Sequence, residues 1–221
     1  MNKRSHQRFI ENYFVSVIIL LSATNMSARD SGTGLAIYGN YSYPLAGLKE
    51  WFKPAFNLGV AAGKDLNSDW YLEGLIEYTH FKDENLSGYP KDKLELSLEH
   101  IGLLANGRYF LTHGSWMRSY FNIGGGIFYW KGIRGRINPD ASMEPAIPLI
   151  EEKILEEWNW GFRSGVGAEF FVIDNLNLDI CAYYRFIVGD LWPTMQPHIE
   201  LEEVSGFQTL NVALTIRYYF N

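Results

Sequence analysis

The chain has no excess of positive charge: 19 Lys and Arg stand against 25 Asp and Glu, a formal net of −6. A general nucleic-acid binder needs a basic footprint, so that class is excluded. Cysteine is nearly absent, and the single Cys181 excludes both an intrachain disulfide framework and a multi-cysteine zinc site. The five histidines show no metal-ligand spacing. No stretch approaches the ~18 consecutive apolar residues that a membrane helix needs, which removes helical spanning and leaves spanning by strands open. A phosphate-binding loop is also missing, because Gly124–Gly126 falls inside an alternating segment and opens no helix. No cofactor is implied.

What is abundant is apolar and aromatic. Hydrophobic residues reach 47% and aromatics 16%, with 21 glycines. Glycine and aromatics together, at average charge, point to antiparallel β structure.

The first residues read as an address. Lys3, Arg4 and Arg8 form a basic region, Tyr13–Ala23 is mostly apolar, and Ala23 and Ala28 offer small residues for cleavage. This is the pattern of a secretory signal peptide over residues 1–28, leaving 29–221 as one exported domain. Removal after Ala28 leaves 16 basic and 24 acidic residues, so the mature chain is acidic.

From about Gly34 the hydrophobic period is two. At the end of the chain, Leu210, Val212, Leu214, Ile216, Tyr218 and Phe220 share one face, and Asn211, Ala213, Thr215, Arg217 and Tyr219 share the other. The same alternation runs through Leu35–Tyr43, Phe52–Gly63, Trp70–Lys82, Leu94–Leu111, Phe121–Tyr129, Trp158–Phe170 and Leu176–Val188. Within Leu94–Leu111 the phase changes between Leu98 and Ile101, as a bulge or an extension above the membrane would cause. These eight strands are joined by connections that alternate in length. Short turns fall at Asp65–Asp69, Thr112–Ser115 and Asp174–Asn175, and longer connections at Pro44–Trp51, Asp83–Lys93, Gly132–Lys153 and Asp190–Gly206. Both chain ends then lie on the short-turn side. Short periplasmic turns, long external loops and an even strand number mark an up-and-down transmembrane β-barrel. In lipid only closure pairs every backbone group, because it removes the sheet edges.

Three features distinguish such a barrel from a soluble one with a greasy interior. The polar face carries Glu73, Glu77, Arg108, Arg163, Glu169, Asp179, Arg185 and Arg217 at mid-strand, four of each sign. That balance suits a narrow lumen, where an unpaired charge is very costly. Aromatics gather at strand ends: Tyr41, Tyr43, Trp51, Tyr78, Tyr129, Trp130, Trp158 and Trp160 at one rim, and Trp70, Tyr109, Trp116, Phe170, Tyr218 and Phe220 at the other. Two such girdles are the membrane-interface pattern. Gly124, Gly126, Gly165 and Gly167 lie on the polar face, where they either leave room for long Arg and Glu side chains or mark bulges.

The segments Phe121–Gly132 (FNIGGGIFYWKG), Trp160–Phe186 (WGFRSGVGAEFFVIDNLNLDICAYYRF) and Leu210–Phe220 (LNVALTIRYYF) together resemble the small outer-membrane β-barrel proteins of Gram-negative bacteria. That porin-like group includes OmpX- and OmpW-type proteins. The resemblance implies an outer-membrane location and a C-terminal signal, carried by Leu214, Ile216, Tyr218 and Phe220, for the barrel-insertion machinery. Members usually finish on the aromatic itself, whereas here Asn221 follows. Such a fold leaves activity open.

The leading expectation is a non-enzymatic protein, structural or narrowly porin-like, whose lumen is filled by the eight charges with Tyr38, Tyr183 and Tyr219. Its partners are then outer-membrane lipid and the insertion machinery. A second reading gives the loops 132–153 and 190–206, with Ile147, Leu149, Ile150, Trp192, Met195 and Ile199, to an external ligand or host surface. A third is a lipid-modifying enzyme using Ser97, Glu99 and His100. Neighbours on a strand point to opposite faces, which separates His100 from the other two. His80 and His198 read as rim residues, and His113 and Ser115 sit in a turn on the side away from external lipid.

Overall fold

The computed structural model describes residues 32–82, 96–136, 151–191 and 204–220. The leader expected over 1–28, His198, the apolar loop residues Ile147, Leu149, Ile150, Trp192, Met195 and Ile199, and Asn221 lie outside them.

Eight strands close into one antiparallel barrel in simple sequence order. They are β1 (Thr33–Pro44), β2 (Ala55–Asp65), β3 (Trp70–Phe81), β4 (Leu96–Phe110), β5 (Met117–Arg134), β6 (Lys153–Ile173), β7 (Leu176–Leu191) and β8 (Val204–Phe220). A single helical turn, α1 (Leu48–Trp51), lies between β1 and β2. The barrel is sealed by β1 and β8, from Thr33 opposite Phe220 to Pro44 opposite Thr209. Following register partners once around from Thr33 arrives at Tyr43 of the same strand. That stagger is the shear of a closed barrel and tilts its strands by roughly 35–45°.

Short polar turns hold one end. Asn67 Oδ1 accepts from the backbone N–H groups of Asp69 and Trp70, both at 2.9 Å, which closes the β2–β3 turn. Thr112 Oγ1 accepts from Ser119 N–H at 2.9 Å in the β4–β5 turn.

Several strands depart from their expected course. Phe52 makes an isolated bridge, and β2 begins at Ala55. The β4 phase change is absent: its pairing with β3 and β5 runs without a shift from Leu98 to Tyr109, and Leu96, Leu98, His100, Gly102 and Leu104 all point inward. Leu98 changes the chemistry of the inner face and leaves its phase intact. The register shifts lie elsewhere, between Phe171 and Ile173 and between Ile187 and Asp190. β5 and β6 also start and end beyond their clearest alternation, because cross-strand pairing continues through Lys131–Arg134 and Lys153–Glu157.

Candidate functional site: the barrel interior and its outer belt

The inner wall is built from the residues that alternate with the exposed apolar ones. Glu73, Glu77, Arg108, Arg163, Glu169, Asp179, Arg185 and Arg217 are all buried. They divide into two groups. Nearer the short turns, Glu73 accepts from Arg108 Nε at 2.8 Å and from Arg217 Nη2 at 2.7 Å. Arg108 also pairs with Asp179, and Arg217 Nε lies 4.0 Å from Glu169. Tyr71 accepts from Arg217 at 2.7 Å, and Tyr120 donates to Asp179 at 2.5 Å. The second group lies towards the long connections. Arg185 donates to Glu77 at 2.6 Å, Arg163 lies 3.8 Å from the same carboxylate, and Tyr38 donates to it at 3.2 Å. Arg163 stacks on Tyr183, with its guanidinium carbon 3.7 Å from the ring centroid.

Above these groups the interior is mixed: Asn40, Ser42, Asn57 and Asn211 form a buried hydrogen-bonded set, and apolar side chains pack in the same end. Leu48, Trp51, Phe52, Phe81, Leu96, Leu98, Phe128, Trp130, Ile187 and Phe207 form one buried cluster at the long-connection end. The β1–β2 connection folds inward to supply the first three. Leu45 N–H donates to Gln208 O at 2.9 Å, and Ala46 takes φ 48° where the chain turns in. Trp130 stands edge-on to Phe207 with centroids 5.1 Å apart, and its Nε1–H donates to Asn159 at 2.8 Å. Trp51 and Trp130 therefore leave the expected outer girdle and belong to this plug. Trp130 takes an inward position near the end of β5, and Trp51 is carried inward by α1.

The outer wall carries a broad apolar band. Leu35, Ile37, Phe56, Leu58, Val60, Ile76, Ile123, Val166 and Ile180 are exposed, as are Leu210, Val212, Leu214, Ile216, Tyr218 and Phe220. Tyr41, Tyr43, Tyr78, Trp158 and Trp160 border this band at one rim, and Trp70, Tyr109 and Trp116 border it at the other. No helix among the described residues is long and apolar enough to cross a membrane. An exposed oily band with a paired polar interior is the arrangement that hydrocarbon demands of a closed barrel.

Solved structures are similar in fold across most of the chain. The attachment invasion locus protein Ail of Yersinia pestis, solved with the heparin analogue sucrose octasulfate, matches with TM-score 0.52 at 11% identity, covering 87% of this chain and all of Ail. A major outer membrane protein of Thermus thermophilus matches with TM-score 0.51 at 13% identity, covering 85% of this chain and 99% of that one. The chain has the outer-membrane β-barrel fold. Neisserial surface protein A agrees, with TM-score 0.50 at 15% identity over 87% of this chain and all of that one. No family model and no curated protein sequence matches.

Two charged members of the outer-membrane barrel's interior escape the sequence reading. Arg118 donates to Glu169 at 2.6 Å and to Tyr219 at 3.0 Å, and lies 4.0 Å from Asp65. Both sit at strand ends nearest the short turns. Beginning β5 at Met117 puts Arg118 in phase with Tyr120 and Asn122, which is the signal that could have revealed it.

The inward glycines serve rings more than long charged chains. A Cβ on Gly167 would collide with the Tyr120 ring, and one on Gly161 would lie 2.7 Å from Phe128. Gly59 likewise faces Tyr38. Gly124, Gly126 and Gly165 face neighbouring backbone. Pairing continues unshifted through all of these positions, so none marks a bulge.

Ser97 and Glu99 face outward and His100 inward, so the three do not converge. Tyr78 donates to Glu99 at 3.2 Å at the rim. Cys181 is buried in the lumen and accepts from Asn122 Nδ2 at 3.1 Å. Among the described residues no group of His, Cys, Asp and Glu could hold a metal ion.

Proposed function

We propose that the protein is a non-enzymatic, integral outer-membrane barrel with a sealed lumen, acting as a structural element of the envelope. A leader over residues 1–28 brings it across the inner membrane. The last strand, with Leu214, Ile216, Tyr218 and Phe220 on its outer face, presents the insertion signal. Lipid is its main partner.

The observation that carries the reading is the double closure of the tube. The two charge groups fill its middle, with Arg185 and Arg217 fully buried, and Leu48, Trp51 and Phe52 stop the long-connection end. An eight-strand interior is just wide enough for its own side chains, so such filling leaves no aqueous path. The internal cavity lined by Tyr38, Arg108 and Arg163 offers a water's centre only about 10 Å³.

Planar-bilayer recording of the refolded protein tests this. A sealed barrel gives no stepwise conductance across the physiological voltage range. Reproducible unitary steps would make it a channel and overturn the sealed reading.

A further inference from the structure

The interior charges are not shared evenly. Around Glu77 two guanidiniums meet one carboxylate, and these two, Arg163 and Arg185, are direct register partners on β6 and β7. Like charges placed directly opposite repel one another. Nearer the short turns the balance reverses, with Glu73, Asp179, Glu169 and Asp65 against Arg108, Arg217 and Arg118.

Between the two groups lies the small internal cavity. Its lining includes Arg108, Arg163 and Arg217 and no carboxylate. Glu73, Glu77 and Asp179 bond these arginines from outside that lining. Arg163 Nε and Nη1 and Arg217 Nε are buried and make no hydrogen bond to a described protein group, although Arg163 Nη1 lies 3.8 Å from Glu77 and Arg217 Nε 4.0 Å from Glu169. A buried N–H left without a hydrogen bond is unfavourable, more so on a charged group. With about 10 Å³ open to a water's centre, the cavity takes one small particle. Phosphate, sulfate and carboxylate ligands are too large. Water fits by size but leaves the surplus of two guanidiniums on Glu77 as it is.

We propose that this cavity is a site for a monatomic anion of the chloride class, held by the free guanidinium N–H groups of Arg163 and Arg217. The ion enters as the barrel closes, neutralises the surplus beside Arg185, and becomes part of the packed lumen.

The test uses the full chain refolded into detergent with chloride or with gluconate at matched ionic strength. Chloride should raise the thermal midpoint and the rise should saturate, whereas Arg163→Gln should lose that saturable response. Crystals grown with bromide in place of chloride should show an anomalous peak between Arg163 and Arg217. An empty anomalous map at the cavity overturns the proposal whatever the melting curves show, and decides the matter if Arg163→Gln fails to fold. A chloride response unchanged in a folded Arg163→Gln also overturns it. Either failure leaves the sealed-lumen reading untouched, because water would then fill the same space.

Discussion

Arg217 on the last strand donates through Nη2 to Glu73 Oε2 on the third at 2.7 Å, and both side chains are fully buried. β8 and β3 are not neighbours in the sheet, so this bond ties opposite parts of the wall through the lumen. Glu73 also accepts from Arg108 and from Asn106, each at 2.8 Å. Glu73→Ala removes the carboxylate that two guanidiniums share, leaving Arg108 with Asp179 and Arg217 with Glu169. It should cost about 3–5 kcal/mol, read from urea unfolding of the refolded barrel. Adding Arg217→Met should restore part of the loss, because one uncompensated charge leaves with its partner. A Glu73→Ala barrel as stable as the parent would mean that water already solvates these groups.

On the outer face the expected penalty has a different origin. Leu214 is 53% exposed and pairs with Gly39 and Ile180 near the middle of its strand. Leu214→Arg sets a charge in hydrocarbon and should cost ~2–4 kcal/mol in liposomes. The same substitution would be near neutral if this face were in water.

Much of this architecture was legible because a strand's period of two sorts its residues onto two faces. Leu210–Phe220 shows this directly: its outward and inward sets can be read by alternation, with Arg217 in the polar one. The external third of the lumen was not legible. There β4 turns Leu96 and Leu98 inward, so they read as a change of phase, and Trp51 and Trp130 read as girdle residues. Alternation tells two faces apart, but it does not name the solvent on each when both are oily. Nor does it show that the β1–β2 connection folds into the tube, since that depends on Leu48, Trp51 and Phe52 meeting Phe81 and Phe207 from distant strands. Arg118 and Asp65 were hidden for a simpler reason: strand ends are the least distinct part of a periodic pattern.

The inward and outward glycines should respond oppositely to an added methyl group. At Gly167 the Tyr120 ring occupies the space, so Gly167→Ala should destabilise by about 1–3 kcal/mol. At Gly74 the nearest atoms to a Cβ are backbone oxygens 4.0 Å away. Gly74→Ala should therefore be neutral or stabilise by up to about 1 kcal/mol through the unfolded chain. Parallel unfolding curves of the two variants check the pair, and equal effects would contradict the packing described.

The tryptophans provide a positional test of the plug. In single-tryptophan variants, brominated acyl chains should quench Trp70, Trp158 and Trp160, whose side chains are exposed on the outer wall. Trp51 and Trp130, 3% and 1% exposed, should be spared. Trp51→Ala should in addition cost about 3–5 kcal/mol, as loss of a buried indole does. Strong quenching of Trp51 would return it to the rim.

Which side of the wall meets hydrocarbon decides whether this barrel spans a membrane. Magnetisation transfer from lipid acyl protons to the refolded protein in nanodiscs measures this residue by residue along β8. Cross-peaks are expected at Val212, Leu214 and Ile216, and none at Asn211, Thr215 and Arg217. Acyl contacts at Arg217 and Thr215, with water at Leu214 and Ile216, would contradict the spanning barrel.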